Sequence, residues 1–127
     1  MNAAVALNRY KQVQVRTSSP GDILVMLYDG LIKFLEEAKA ATVADDRARA
    51  GERIGRAHAI LAELTATLDH DKAPELCERL EGVYGFCMGH LLEANLHRDP
   101  EKIDACIRIL TPIRDAFKVA VSQQAGR

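Results

Sequence analysis

Three residues of the chain, His90, Glu93 and His97, are of the types that bind a transition metal through imidazole nitrogen and carboxylate oxygen. Their i, i+3, i+7 spacing places them on one side of a helix. A metal centre also needs donors from a second element, and no other ligand-rich segment accompanies them. The Glu-x-x-His pairing of di-iron bundles is missing as well. No metal is expected. His58, in the run RAHAIL, suggests a different chemistry, phosphoryl transfer through an imidazole exposed in mid-helix. That reaction calls for a cation beside the phosphoryl group, and the residues that follow, Ile60, Leu61 and Ala62, supply none. Cys77, Cys87 and Cys106 are odd in number, lack CxxC spacing and sit in apolar periodic segments, so they read as reduced, buried thiols of a cytosolic protein. No nucleophile with an adjacent base remains, so neither catalysis nor a cofactor is expected.

The elements that position these residues are helical. Apolar residues make up 48% of the 127 positions, aromatics only 5%, and Trp is absent, so one core must be built from Leu, Ile, Val and Ala. Lys and Arg number 17 against 18 Asp and Glu, a balance that gives no footprint for nucleic acid. The N-terminus lacks a basic, then apolar, then cleavable pattern, and no apolar run is long enough to span a bilayer.

Residues 1–18 carry too few apolar groups to fold alone and read as an N-terminal arm. It is either a frayed end or a short amphipathic helix docking through Leu7, Tyr10 and Val13. Ser19, Pro20 and Asp22 then form a helix start: a side-chain cap, a residue whose missing N–H is harmless at the first position, and an acid at the positive helix end. Ile23, Leu24, Leu27, Leu31, Phe34, Leu35 and Ala38 make one stripe, with Val25, Tyr28 and Ile32 as a second row beside it. So wide an apolar surface predicts contact from more than one side.

A second helix shows Ala50, Ile54, Ala57, Leu61, Leu64 and Leu68, and ends near Asp69. The third opens at Pro74 with Leu80, Tyr84, Cys87, Leu91 and Ala94. Asp99 and Pro100 start the fourth, with Ile103, Cys106, Leu110, Ile113, Phe117 and Val121, and with Pro112 predicting a kink. The expected fold is all-α, an antiparallel up-down four-helix bundle over 19–122, preceded by the short arm or helix and followed by a tail at 123–127.

The third helix is odd on its outer side. Gly82, Gly85, Gly89, Leu92 and Leu96 lie opposite its core stripe, where Lys, Glu or Arg would be usual. Each interior Gly is about 1 kcal/mol less favourable than Ala. The second helix carries a matching row without bulk, Ala48, Gly51, Gly55, Ala59, Ala62 and Ala66. Together they suggest a shallow groove for another chain, with Met88, Leu92 and Leu96 as anchors, Gly85 and Gly89 as floor, and Ala59 and Ala62 at the side. Tight packing within the bundle, or a homodimer, would use the same residues.

Tyr10, Lys11, Gln12 and Gln14, then Thr17 to Pro20, then Met26, Leu27, Tyr28, Asp29, Gly30, Ile32, Lys33 and Phe34 resemble, in order and spacing, the flagellar secretion chaperones of the FliS family. The resemblance continues through Ala57, Ile60, Leu64 and Leu68, through Leu76, Leu80, Tyr84, Leu91, Ala94 and Asn95, and into Leu110 and Arg114 to Phe117. Two features depart from the family: Phe117 stands where a Trp is common, and Pro112 lies inside the last helix. The resemblance implies a cytosolic bundle that binds the C-terminal segment of flagellin, prevents its premature polymerisation and aids its delivery to the export apparatus, with export-gate proteins as further partners. Under that reading the arm around Leu7 and Tyr10 covers an apolar site until the client displaces it. The alternatives are a histidine phosphotransfer bundle using His58 and a bundle that only self-associates.

Overall fold

The computed structural model describes residues 19–125. Four helices follow one another: α1 (Pro20–Val43), α2 (Arg47–Ala66), α3 (Pro74–His97) and α4 (Pro100–Ala125). Each start has a local cause. At α1 the Ser19 hydroxyl accepts from Asp22 N at 3.1 Å while Ser19 N donates to the Asp22 carboxylate at 3.2 Å, a reciprocal capping box. At α2 the Asp46 carboxylate accepts from Arg49 N, and at α4 the Asp99 carboxylate accepts from Glu101 N. The start of α3 has no side-chain cap and relies on Pro74 in its first turn. Asp45 and Arg98 adopt left-handed backbone, at φ 56° and 53°, and reverse the chain after α1 and α3.

Contacts between helices fix an antiparallel order. Along α1 and α4, Gly21 meets Val121, Asp29 meets Arg114, and Lys39 meets Asp104. Along α1 and α2, Gly30 meets Ile60 and Glu37 meets Arg49. Helix α1 packs most extensively, on α2 and α4, while α3 packs more lightly on the same two neighbours. The expected central helix is thus α1. Its second row docks on α4: Tyr28 is fully buried, with the Phe117 ring 5.5 Å away, and Ile32 is buried beside it.

The core is aliphatic apart from two tyrosines. Leu31, Leu35, Leu61, Leu64, Leu91, Ile103 and Leu110 close around Tyr28 and Tyr84, whose hydroxyls meet at 2.5 Å. Cys77, Cys87 and Cys106 are buried free thiols. The hydrogen bond to Cys87, together with burial, pushes the Cys106 thiol well above its ordinary value. Pro112 does not break α4: it is exposed, as is Arg108, whose carbonyl loses its helical donor. The helix also runs to Ala125, beyond the bundle boundary expected at 122, because Ser122, Gln123 and Gln124 contain no breaker before Gly126.

Of the described glycines, Gly21 lies closest to another helix. A methyl placed there would lie 2.8 Å from Val121 Cγ2. Gly21→Ala is therefore expected to cost about 1–3 kcal/mol through overpacking. Denaturant unfolding measures this, and adding Val121→Ala should recover most of the loss.

Candidate functional site

Three of the four seams between neighbouring helices carry ion pairs. Glu37 of α1 meets Arg49 and Arg53 of α2 at 3.2 and 3.3 Å. Asp29 of α1 takes Arg114 at 3.1 Å and Lys118 at 3.5 Å from α4. Lys102 of α4 lies 2.8 Å from Glu93 of α3, and that pairing holds the Glu93 carboxyl below the usual range. Among the described residues no ion pair joins α2 to α3 along their lengths; only His70, in the turn between them, meets Glu81 of α3, at 3.0 Å. The outer surface along this seam is also where side chains are lacking.

Apart from chain neighbours and the helix's own nearby backbone, no heavy atom lies within 4 Å of a methyl placed on Gly55, Gly82, Gly85 or Gly89. These glycines face open space and satisfy no packing demand inside the bundle. Ala59 and Ala62 are exposed on the facing part of α2. Leu92 and Leu96 stand out from α3 with 60% and 76% of their surface exposed. Between Gly82 and Leu92 the helix contains no Asp, Glu, Lys or Arg. An apolar chain laid on this face would displace water from few charged groups, so little desolvation cost opposes burial.

The structure brings Gly85, Gly89, Leu92 and Leu96 together on one face. Met88 differs: it is half-buried and packs against the core, so only part of it reaches the surface. Leu7 and Tyr10 lie outside the described residues. Phe86 was not singled out from the sequence, yet it is 48% exposed and stacks on His90 with centroids 4.0 Å apart. With Arg79, Gly82, Val83 and Ile109 it lines a groove of about 510 Å³ between α3 and α4, apolar apart from that arginine. Its wheel position, on the flank between the core stripe and the glycine row, was the available signal. The apolar surface of α3 therefore wraps both sides of the glycine row.

His90 lies over Phe86, Glu93 is taken by Lys102, and no three metal-type ligands converge among the described residues. His58 is half-buried on α2. No described helix is long and apolar enough to cross a membrane.

The sequence profile described as Flagellar protein FliS matches residues 2–124. The chain belongs to the FliS family. Among FliS relatives, the flagellar secretion chaperone of Bacillus subtilis is 32% identical over 115 residues, covering 91% of this chain and 85% of that one. The flagellar secretion chaperone of Campylobacter jejuni is 31% identical over 118 residues, covering 93% and 92%. A bacterial flagellar chaperone solved by crystallography superposes with a TM-score of 0.77 at 21% identity, over 96% of this chain and 99% of the other, and so shares the fold. The four-helix architecture read from the FliS-like residues is the one observed.

Proposed function

We propose that this chain is a cytosolic export chaperone that binds the C-terminal segment of flagellin along the outer faces of α2 and α3, prevents its early polymerisation and delivers it to the export machinery. The observation that carries the reading is the face itself: open glycines, exposed Leu92 and Leu96, and no charge from Gly82 to Leu92. FliS relatives named as flagellar secretion chaperones support the role.

The physics suits a client that folds as it binds. A disordered amphipathic segment gives up about 2–5 kcal/mol on ordering, so it needs apolar area to bury and little charge to desolvate. Glycines let its backbone come close, and Leu92, Leu96 and Phe86 supply the area. Leu7 and Tyr10 of the arm would cover part of this surface before the client arrives, and export-gate proteins would receive the loaded complex.

Isothermal calorimetry with a flagellin C-terminal peptide tests this. Saturable binding with a negative heat-capacity change, the mark of apolar burial, supports it. Absence of heat and of any shift in melting temperature at high peptide excess refutes it. A stable dimer in sedimentation whose contacts bury Leu92 and Leu96 would assign the face to a second copy instead.

A further inference from the structure

A cavity of about 320 Å³ opens at one end of the bundle, where α1 and α3 finish and α2 begins. Its apolar lining is Ala41, Ala50 and Ala94, and Leu96 stands in its wall. Leu96 also belongs to the docking face, so the cavity continues that face at its α3 C-terminal end. The volume is at the low end for ligand sites, suited to a chain end rather than a further helix.

The polar wall balances Asp45 and Asp46 against Arg47 and Arg98, whereas the opposite end of the face is acidic. Asp46 is occupied in capping Arg49 N at 3.3 Å, and Asp45 faces Arg47 at 3.6 Å. Arg98, held in left-handed backbone as the cap of α3, makes no ion pair among the described residues and lines the cavity with Asn95. At the other end, around the α2/α3 turn, Asp69, Asp71, Glu75, Glu78 and Glu81 outnumber Lys72 and Arg79, with Glu81 held by His70 at 3.0 Å. A peptide can lie along the face in two directions, and these charges distinguish them. A terminal carboxylate would be repelled at the acidic turn and paired at Arg98.

We infer that the client's own carboxyl terminus occupies this cavity, its last apolar side chain on Ala50 and Ala94 and its α-carboxylate on the Arg98 guanidinium. This rests on the proposed binding of a flagellin C-terminal segment, and adds its direction: the client runs from the acidic α2/α3 turn toward Arg98.

The test compares a flagellin C-terminal peptide ending in a free acid with the same peptide ending in an amide, against the unmodified chain and Arg98→Gln. Gln removes the charge without changing the backbone demand at residue 98, and a thermal melt checks the fold. Amidation is expected to weaken binding about fivefold or more in the unmodified chain, the size of a partly exposed charge-assisted hydrogen bond, and less than twofold in Arg98→Gln. A photoreactive residue next to the peptide's carboxyl end should label residues 41–50 or 94–98. Equal affinities for acid and amide, or labelling confined to 69–81, overturn the inference while leaving the docking face in place. Failure of either peptide to bind removes both.

Discussion

Replacing Gly82, Gly85 and Gly89 together with alanine is expected to raise the melting temperature by roughly 10 °C while weakening client binding about tenfold or more. All three residues lie inside α3, none has a positive φ, and the added methyls meet no heavy atom within 4 Å apart from chain neighbours and the helix's own nearby backbone. The stability change is therefore close to pure helix propensity, about 0.8–1 kcal/mol per site. The three methyls share no partner in the bundle, so their effects should nearly add, to about 2–3 kcal/mol. The same methyls roughen the floor on which the client backbone is proposed to lie. Gly89→Arg carries this further, with a bulky cation in the middle of the uncharged stretch, and should cut affinity about thirtyfold or more while leaving the fold intact. Calorimetric melting and peptide titration on the same samples give both numbers. A gain in stability with unchanged affinity would show that the glycines do not face the client. Loss of stability would contradict the open geometry around them. A sequence that keeps three destabilising residues in one exposed row has the signature of a surface selected for contact rather than for helix strength.

The parts of this design that are local in sequence were legible there. Ser19, Pro20 and Asp22 announce α1 because a cap acts within one helical turn, and the core stripes of α2 and α3 follow from a period that any buried helix must keep. Where two stripes run side by side the sequence does not mark the centre. Ile23 belongs to the main row of α1 and is 38% exposed, whereas Tyr28, in the second row, is fully buried. Helix α1 sits between α2 and α4, so its most enclosed line falls between the two rows, and only the packing reveals that. Missing bulk on the outer side of α3 was visible because a helix wheel needs no partner. Phe86 was missed because its exposure depends on how far α4 lies from α3, a tertiary quantity. The cavity at Arg98 was beyond reach for a similar reason: its wall comes from two stretches, residues 41–50 and 94–98, that only the packing brings together. Ion pairs such as Asp29 with Arg114 have no sequence signature either, since the partners are 85 positions apart.

The Tyr28 and Tyr84 hydroxyls form another such pair, and removing one of them should cost more per atom than any other polar change in the core. Both rings are at most 1% exposed, and the two oxygens, 2.5 Å apart, are each other's partner across the bundle. Tyr28→Phe or Tyr84→Phe leaves the remaining hydroxyl buried and unpaired, a loss of about 1–3 kcal/mol with almost no change in volume. The double Phe variant removes both polar groups and should cost clearly less than the sum of the singles, leaving a coupling of about 1–2 kcal/mol in urea unfolding. Strict additivity would mean that the hydroxyls are solvated independently in the folded state. Burial first, and then the bond between them, pushes the Tyr28 phenol far above its ordinary value; burial also raises Tyr84. In the unfolded chain both phenols ionise near pH 10. Their contribution is therefore complete below about pH 10 and is lost as the pH rises above it, because only the unfolded state releases the protons. The unmodified protein should lose stability steeply between about pH 10 and 12, and the double Phe variant, with no phenol left at these two positions, should show a shallower decline over the same range.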